Sequence, residues 1–294
     1  MKVRIGVGLG AESAPATFGE HIDQLEAAGV DSVWFSEIVF SDQVDPFVAM
    51  ANAAGRTKNL KVGTGIAVLP GRHPVLLTKQ LLSLAGLAPK RILPAFGLRP
   101  ARRDEWQAFP VPAGRRADVF DESMRLVRLL LTEDDVSFDG EFYQVDRVTL
   151  GPKAAKPLDV WLAGSAPAAF TRIGKYADGW LGSFLAPDEA GRARQAIIAA
   201  AADAEREIED DHYGLSLVVA PNGIPDELLA SARRRRPDAD PATLIAHGWA
   251  HARELLNRYV DVGLSKFVVR PAGPVASYDR FVDEFVAELL PLQN

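Results

Sequence analysis

The chain has 294 residues, enough for one large α/β domain or two small ones. Its formal net charge of -6 argues against a partner bound by nucleic-acid electrostatics, and the absence of cysteine excludes disulfides, thiolate catalysis and cysteine-ligated metal. Hydrophobic residues at 48% are ample for a core, yet no apolar run nears the roughly 20 residues of a membrane span. Only two residues precede the first predicted strand, too few for a signal peptide, so a cytoplasmic protein with no membrane partner is expected.

Residues 3–9 read as a first strand. Thr17 and Glu20 are spaced as a capping box for a helix to residue 28, and Gly29 closes it. Residues 32–37 form a second strand, and 46–56 an alanine-rich helix. The third strand begins at Leu60. Gly63 and Gly65 lie within it, where glycine often marks close approach by a ligand or another backbone. Pro74 then opens a leucine-rich helix. Residues 91–97 make a fourth strand, interrupted in character by Pro94, and a basic insertion covers 98–113. A periodic helix spans 115–131. Residues 136–145 read as a hairpin turned at Asp139–Gly140. Strands follow at 158–164, 178–184, 214–220 and 266–270. Helices lie at 167–176, 187–208, 228–236, 244–262 and 278–290.

Eight strands alternate with helices at about one βα unit per roughly 35 residues. The strands are continuous apolar runs, as in a sheet buried on both faces. The pattern favours an α/β fold of the (β/α)8 TIM-barrel kind over residues 1–294, one domain with an insertion after the fourth strand. In such barrels the site lies at the carboxyl ends of the strands. Those ends carry Gly8, Ser36, Glu37, Gly65, Ile66, Gly97, Gly164, Ser165, Gly182, Ser183 and Arg270. They are small residues and nearly free of acids, which suits a flat ring with its phosphate on backbone amides. The five histidines fall mostly on helices or loops, so no metal is expected.

The run Val62 to Pro74 (VGTGIAVLPGRHP) resembles a motif of the luciferase-like monooxygenase family, in its actinobacterial branch that uses the deazaflavin coenzyme F420. Stretches 31–37, 136–142, 159–165, 177–180 and 263–271 resemble the same family in the same order. The resemblance implies a luciferase-like barrel, often a homodimer, that performs redox chemistry on a small-molecule substrate with F420 or, alternatively, FMN. It also implies a non-proline cis peptide behind the cofactor ring, here Gly65–Ile66. Carried over, Glu37 is the catalytic candidate and, with Gly65 and Ile66, flanks the ring. Gly164, Ser165, Ala166, Gly182 and Ser183 hold the phosphate end or tail; Gly8, Ser36, Gly97 and Arg270 complete the cofactor set. Where many members have His or Arg after the acid that ends the second strand, this chain has Ile38 and Val39, which leaves the acid or base unidentified.

Plainer readings stand beside these. Glu37 suits a structural carboxylate, and Arg270 suits either an acidic neighbour or an anionic ligand. Arg72 and His73 read as loop residues, Arg233 to Arg236 as a solvated helix end, and Trp106 as one candidate pocket residue. Two other functions stay open. Gly6, Gly8 and Ala11 satisfy the G-x-G-x-x-A pattern of a Rossmann dehydrogenase, although Pro15 precedes the helix and Glu37 lies too far along. A catalytically silent cofactor-binding barrel is the third reading.

Overall fold

In the computed structural model, which describes residues 2–10 and 13–294, the apolar runs pair as parallel strands and the amphipathic segments pack outside them. In chain order the first elements are β1 (Arg4–Leu9), α1 (Phe18–Ala27), β2 (Ser32–Phe35), α2 (Pro46–Arg56), β3 (Lys61–Thr64), β4 (Ala67–Val68), α3 (Pro74–Leu87), β5 (Ile92–Leu93) and β6 (Ala95–Gly97). Then come α4 (Arg116–Thr132), the antiparallel β7 (Val136–Asp139) and β8 (Gln144–Val148), β9 (Trp161–Ala163), α5 (Pro167–Tyr176), β10 (Gly179–Ser183) and α6 (Pro187–Asp203). The chain finishes with β11 (Tyr213–Val219), α7 (Asp226–Arg235), β12 (Ile245–Ala246), α8 (Trp249–Asp261), β13 (Lys266–Pro271) and α9 (Tyr278–Leu289).

The strands form a ring. β9, β10, β11, β13, β1, β2 and β3 pair in that order, and β3 pairs with β5. The third and fourth barrel strands are each broken in two. The cis peptide Gly65–Ile66 separates β3 from β4, and Pro94 separates β5 from β6, since proline has no N–H for the ladder. The outer halves close the ring, β4 on β6 and β6 on β9. The Trp161 N–H donates to the Pro94 carbonyl at 2.9 Å across the break. Such a ring excludes the open Rossmann sheet; Ala11 of that pattern lies outside the described residues.

Other local expectations change. Thr17 makes no side-chain cap bond, so the capping box is absent. The helix expected over 244–262 starts only at Trp249. Ile245 and Ala246 are buried as β12 against β11, and Gly248 turns the chain at φ +93°. Arg236 is no solvated helix end: it pairs with Glu189 at 2.6 Å and Asp238 at 2.9 Å. No helix among the described residues is long and apolar enough to cross a membrane.

The main core lies between the ring and its helices, but a second cluster fills the ring itself. It comprises Trp34, Ala95, Trp161, Leu181 and Val268, with Ile66 and Leu93 against them. Trp34 and Trp161 meet edge to face at 6.4 Å. Gly63 serves this plug rather than a ligand: a Cβ there would lie 2.8 Å from Cε3 of Trp34. The amino-terminal end is tied by Asp31, whose carboxylate meets Lys61 at 2.7 Å, Lys266 at 3.0 Å and Arg4 at 3.7 Å.

Outside the ring, α5 and α6 touch backbone to side chain at Gly174. A Cβ there would lie 2.5 Å from the Ala201 nitrogen and 2.6 Å from the Ala200 carbonyl carbon. Alanine would gain about 1 kcal/mol of helix propensity, but backbone cannot yield as a flexible side chain does, and overpacking costs about 1–3 kcal/mol. Gly174→Ala is therefore expected to lower the melting temperature, measured by circular dichroism.

Candidate active site

The carboxyl ends of the strands carry small residues, as read from the sequence, but the glycines do not leave an open floor. Arg270, on β13, reaches across them. Its Nε–H donates to Ser216 Oγ at 3.0 Å, its Nη1 to Ser36 Oγ at 3.0 Å and to the Leu9 carbonyl at 3.4 Å, and its Nη2 to the Gly65 carbonyl at 2.7 Å. A Cβ at Gly8 would lie 2.5 Å from Cγ of Arg270, and a Cβ at Gly65 would collide with its Nη2. Gly8 and Gly65 therefore make room for the guanidinium, which with Ser36 becomes the floor. Likewise a side chain at Gly97 would strike Ile66, and one at Gly182 would lie 2.6 Å from Trp180.

Among the described residues no carboxylate pairs with Arg270. Four of its five N–H donors are used, all by neutral oxygens, so among the described residues one on Nη2 has no acceptor. Burial pulls its pKa down to about 10. The expected choice between an acidic neighbour and an anionic ligand thus loses its first arm.

The peptide at Gly65–Ile66 is cis, as the resemblance implies. Its surroundings are well specified. Gly65 N–H donates to the Phe35 carbonyl at 2.7 Å, Ser36 Oγ to the Gly65 carbonyl at 3.3 Å, and Glu37 N–H to the Ile66 carbonyl at 3.2 Å. The Glu37 side chain is buried. Its Oε2 accepts from Val68 N–H at 2.7 Å and its Oε1 accepts from Arg72 Nη2. Burial pushes its pKa up, against the Arg72 charge and the Val68 N–H, which pull it down. Arg72, read as a loop residue, is the partner sequence reasoning missed. It also donates to the Val68 carbonyl at 3.0 Å and lies over the Phe47 and Phe109 rings at 5.1 and 5.6 Å. His73 caps α3, its Nδ1 accepting from Val75 N–H at 3.3 Å.

On the opposite rim, Gly164, Ser165 and Ala166 lead into α5. This helix has no side-chain cap and no acid in its first turn. By contrast α6, which follows Ser183, carries Asp188 and Glu189 in its first turn and is unfavourable to an anion. Arg99 and Trp106 of the insertion cluster with Arg116, the first residue of α4; of the three, the sequence had singled out Trp106 as a pocket candidate. Arg99 and Arg116 both lie over the exposed Trp106 ring, at 5.2 and 5.7 Å. Arg116 donates to the Phe109 carbonyl at 2.8 Å, while its buried Nη1 has no partner among the described residues. Burial and the Arg99 charge lower its pKa. These groups are cationic and hydrogen-bond donating.

Known proteins share this plan. The sequence profile of the luciferase-like monooxygenase family matches residues 1–264. An uncharacterised protein of Mycobacterium tuberculosis is 34% identical over 149 residues, 51% of each chain. The chain thus spans about half the length of the first curated relatives it matches. An F420-dependent glucose-6-phosphate dehydrogenase of Amycolatopsis mediterranei is 23% identical over 335 residues, covering 98% of each chain. Among solved structures, an F420-dependent secondary alcohol dehydrogenase in complex with an F420–acetone adduct shares the fold with a TM-score of 0.82, at 17% identity over 100% of each chain. With a closed ring of parallel strands, a cis Gly65–Ile66 bulge at its mouth and a profile match over most of its length, this chain belongs to the luciferase-like monooxygenase family.

Proposed function

We propose that this protein is an F420-dependent oxidoreductase that moves a hydride to or from a small organic substrate. The observation that carries the reading is the Arg270 guanidinium, held at the barrel mouth by neutral oxygens with no carboxylate to neutralise it. That environment suits an electron-rich ring. The F420-dependent relative that covers 98% of both chains supports the same choice. Coenzyme F420, when bound, supplies a two-electron hydride carrier that does not activate oxygen.

The residues fit such a group. Gly65 and Ile66 form the seat for a flat ring, with Gly8, Ser36, Gly97 and Arg270 around it. Gly164, Ser165 and Ala166 meet a phosphate at the uncapped start of α5, with Gly182 and Ser183 beside them. Arg99 and Arg116 add positive charge for an anionic tail. Glu37 acts here as a positioning residue, because both its carboxylate oxygens are already engaged by Val68 and Arg72. The same seat accommodates FMN, so the cofactor is tested directly. Fluorescence titration of the purified protein is expected to give a dissociation constant for F420 at least tenfold below that for FMN. Tighter FMN binding would overturn the choice, and F420 binding without turnover of any carbonyl or enone acceptor would favour the silent barrel.

The reading includes a cytoplasmic location and a homodimer. Val48 on α2 and Leu76 and Leu87 on α3 are apolar side chains exposed on neighbouring helices, a suitable face for a second copy. A monomeric mass by light scattering would remove that assignment.

A further inference from the structure

Among the groups of the mouth, Arg270 has the properties of an electrostatic catalyst as well as of a floor. Four strands fix it: Leu9 of β1, Ser36 and Gly65 just past β2 and β3, and Ser216 of β11. Ser36 Oγ accepts from Nη1 and donates to the Gly65 carbonyl, so the guanidinium and the bulge are held in one network. A cation held this rigidly undergoes little reorganisation when charge appears beside it, and so stabilises that charge better than mobile water does. Glu37, two residues past β2, is engaged by Arg72 and the Val68 N–H instead. The charge of Arg270 is therefore left for whatever lies above it.

We propose that Arg270 is a catalytic residue that stabilises the negative charge gained by the cofactor ring on reduction, and so sets the ring's redox potential in this protein. The proposal rests on the cofactor reading above. In the oxidative direction the substrate's carbinol C–H bond breaks and its hydride, two electrons with one proton, passes to the ring. The hydroxyl proton leaves to solvent, the substrate becomes a carbonyl, and the ring gains one negative charge, which Arg270 holds. In the reverse direction the same charge leaves with the hydride.

The test compares affinities rather than rates. Wild type, Arg270→Gln, Arg270→Lys and Gly8→Ala are titrated anaerobically with oxidised and with reduced F420, and in parallel with oxidised and reduced FMN, after circular dichroism has checked folding. Wild type is expected to bind the reduced form more tightly. Arg270→Gln should lose at least tenfold of that preference, which for a two-electron couple lowers the bound midpoint potential by about 30 mV. Arg270→Lys, which keeps the charge, should retain part of it. Gly8→Ala keeps the arginine but places a Cβ 2.5 Å from its Cγ, and should lose an intermediate amount. A preference unchanged in Arg270→Gln overturns the proposal. If wild type binds FMN but not F420, the cofactor reading falls while the FMN arm still tests Arg270; if it binds neither, both fall.

Discussion

Replacing Arg72 by methionine is expected to destabilise the protein by roughly 3 kcal/mol near neutral pH, and by less in acid. Among the described residues it is the one cation paired with Glu37, whose carboxylate is 3% exposed. Without it the carboxyl keeps only the Val68 N–H. Burial already raises the Glu37 pKa above its ordinary 4.5; removing Arg72 raises it further. For an acid whose folded pKa lies above the unfolded one, the native state holds more protons between the two values. Stability in the variant is then fullest below about 4.5 and falls as pH rises through the folded value. Urea denaturation at pH 5 and pH 8 measures this, and an equal loss at both pH values would refute the pairing. The same variant should weaken cofactor binding, because Val68 and Glu37 brace the bulge on which the ring is proposed to rest.

Asp31→Asn is the second change of this size, at the other end of the barrel. Asp31 and Lys266 are each 9% exposed at the side chain and lie 3.0 Å apart. Burial alone would raise the Asp31 pKa, but the Lys266 and Lys61 charges hold it below 3.8. In the wild type that stabilisation is present above about 3.8 and is lost as pH falls through the lower folded value. The amide leaves Lys266 charged and buried, at a cost of about 3–5 kcal/mol. Burial already lowers the Lys266 pKa from 10.5. Between its folded and unfolded values the unfolded chain binds more protons, so the variant's deficit should shrink as pH rises toward 10.5. A deficit that is flat from pH 7 to 10 would show that Lys266 is not the group left stranded. Cofactor binding proposed at the opposite mouth should be changed far less than stability.

The two ends of the barrel were legible in different degrees. Strand 266–270 could be read from its continuous apolar run, and its end residue Arg270 could be placed at the mouth by counting strands. What Arg270 touches could not, because its acceptors come from four other places in the sequence, Leu9, Ser36, Gly65 and Ser216. The glycines carried a real signal, but which group comes close could not be read from them. Gly8 and Gly65 mark a close approach, but by a guanidinium, and Gly63 marks one by the Trp34 ring. Arg72 was missed because a loop arginine has no periodicity, and its partner Glu37 lies 35 positions away in the chain.

Local patterning by itself therefore determined the alternation of strand and helix, the barrel class and which residues reach the strand ends; the cis position at Gly65–Ile66 came from family likeness. Side-chain periodicity is a short-range property, so it survives in the sequence. Tertiary structure alone decided the plug of Trp34 and Trp161, the pairing of Glu37 with Arg72 and of Asp31 with Lys266, and the seat of the unpaired Arg270. Those outcomes depend on which distant atoms must share one low-dielectric space. A linear order of residues specifies that space only after the ring has closed.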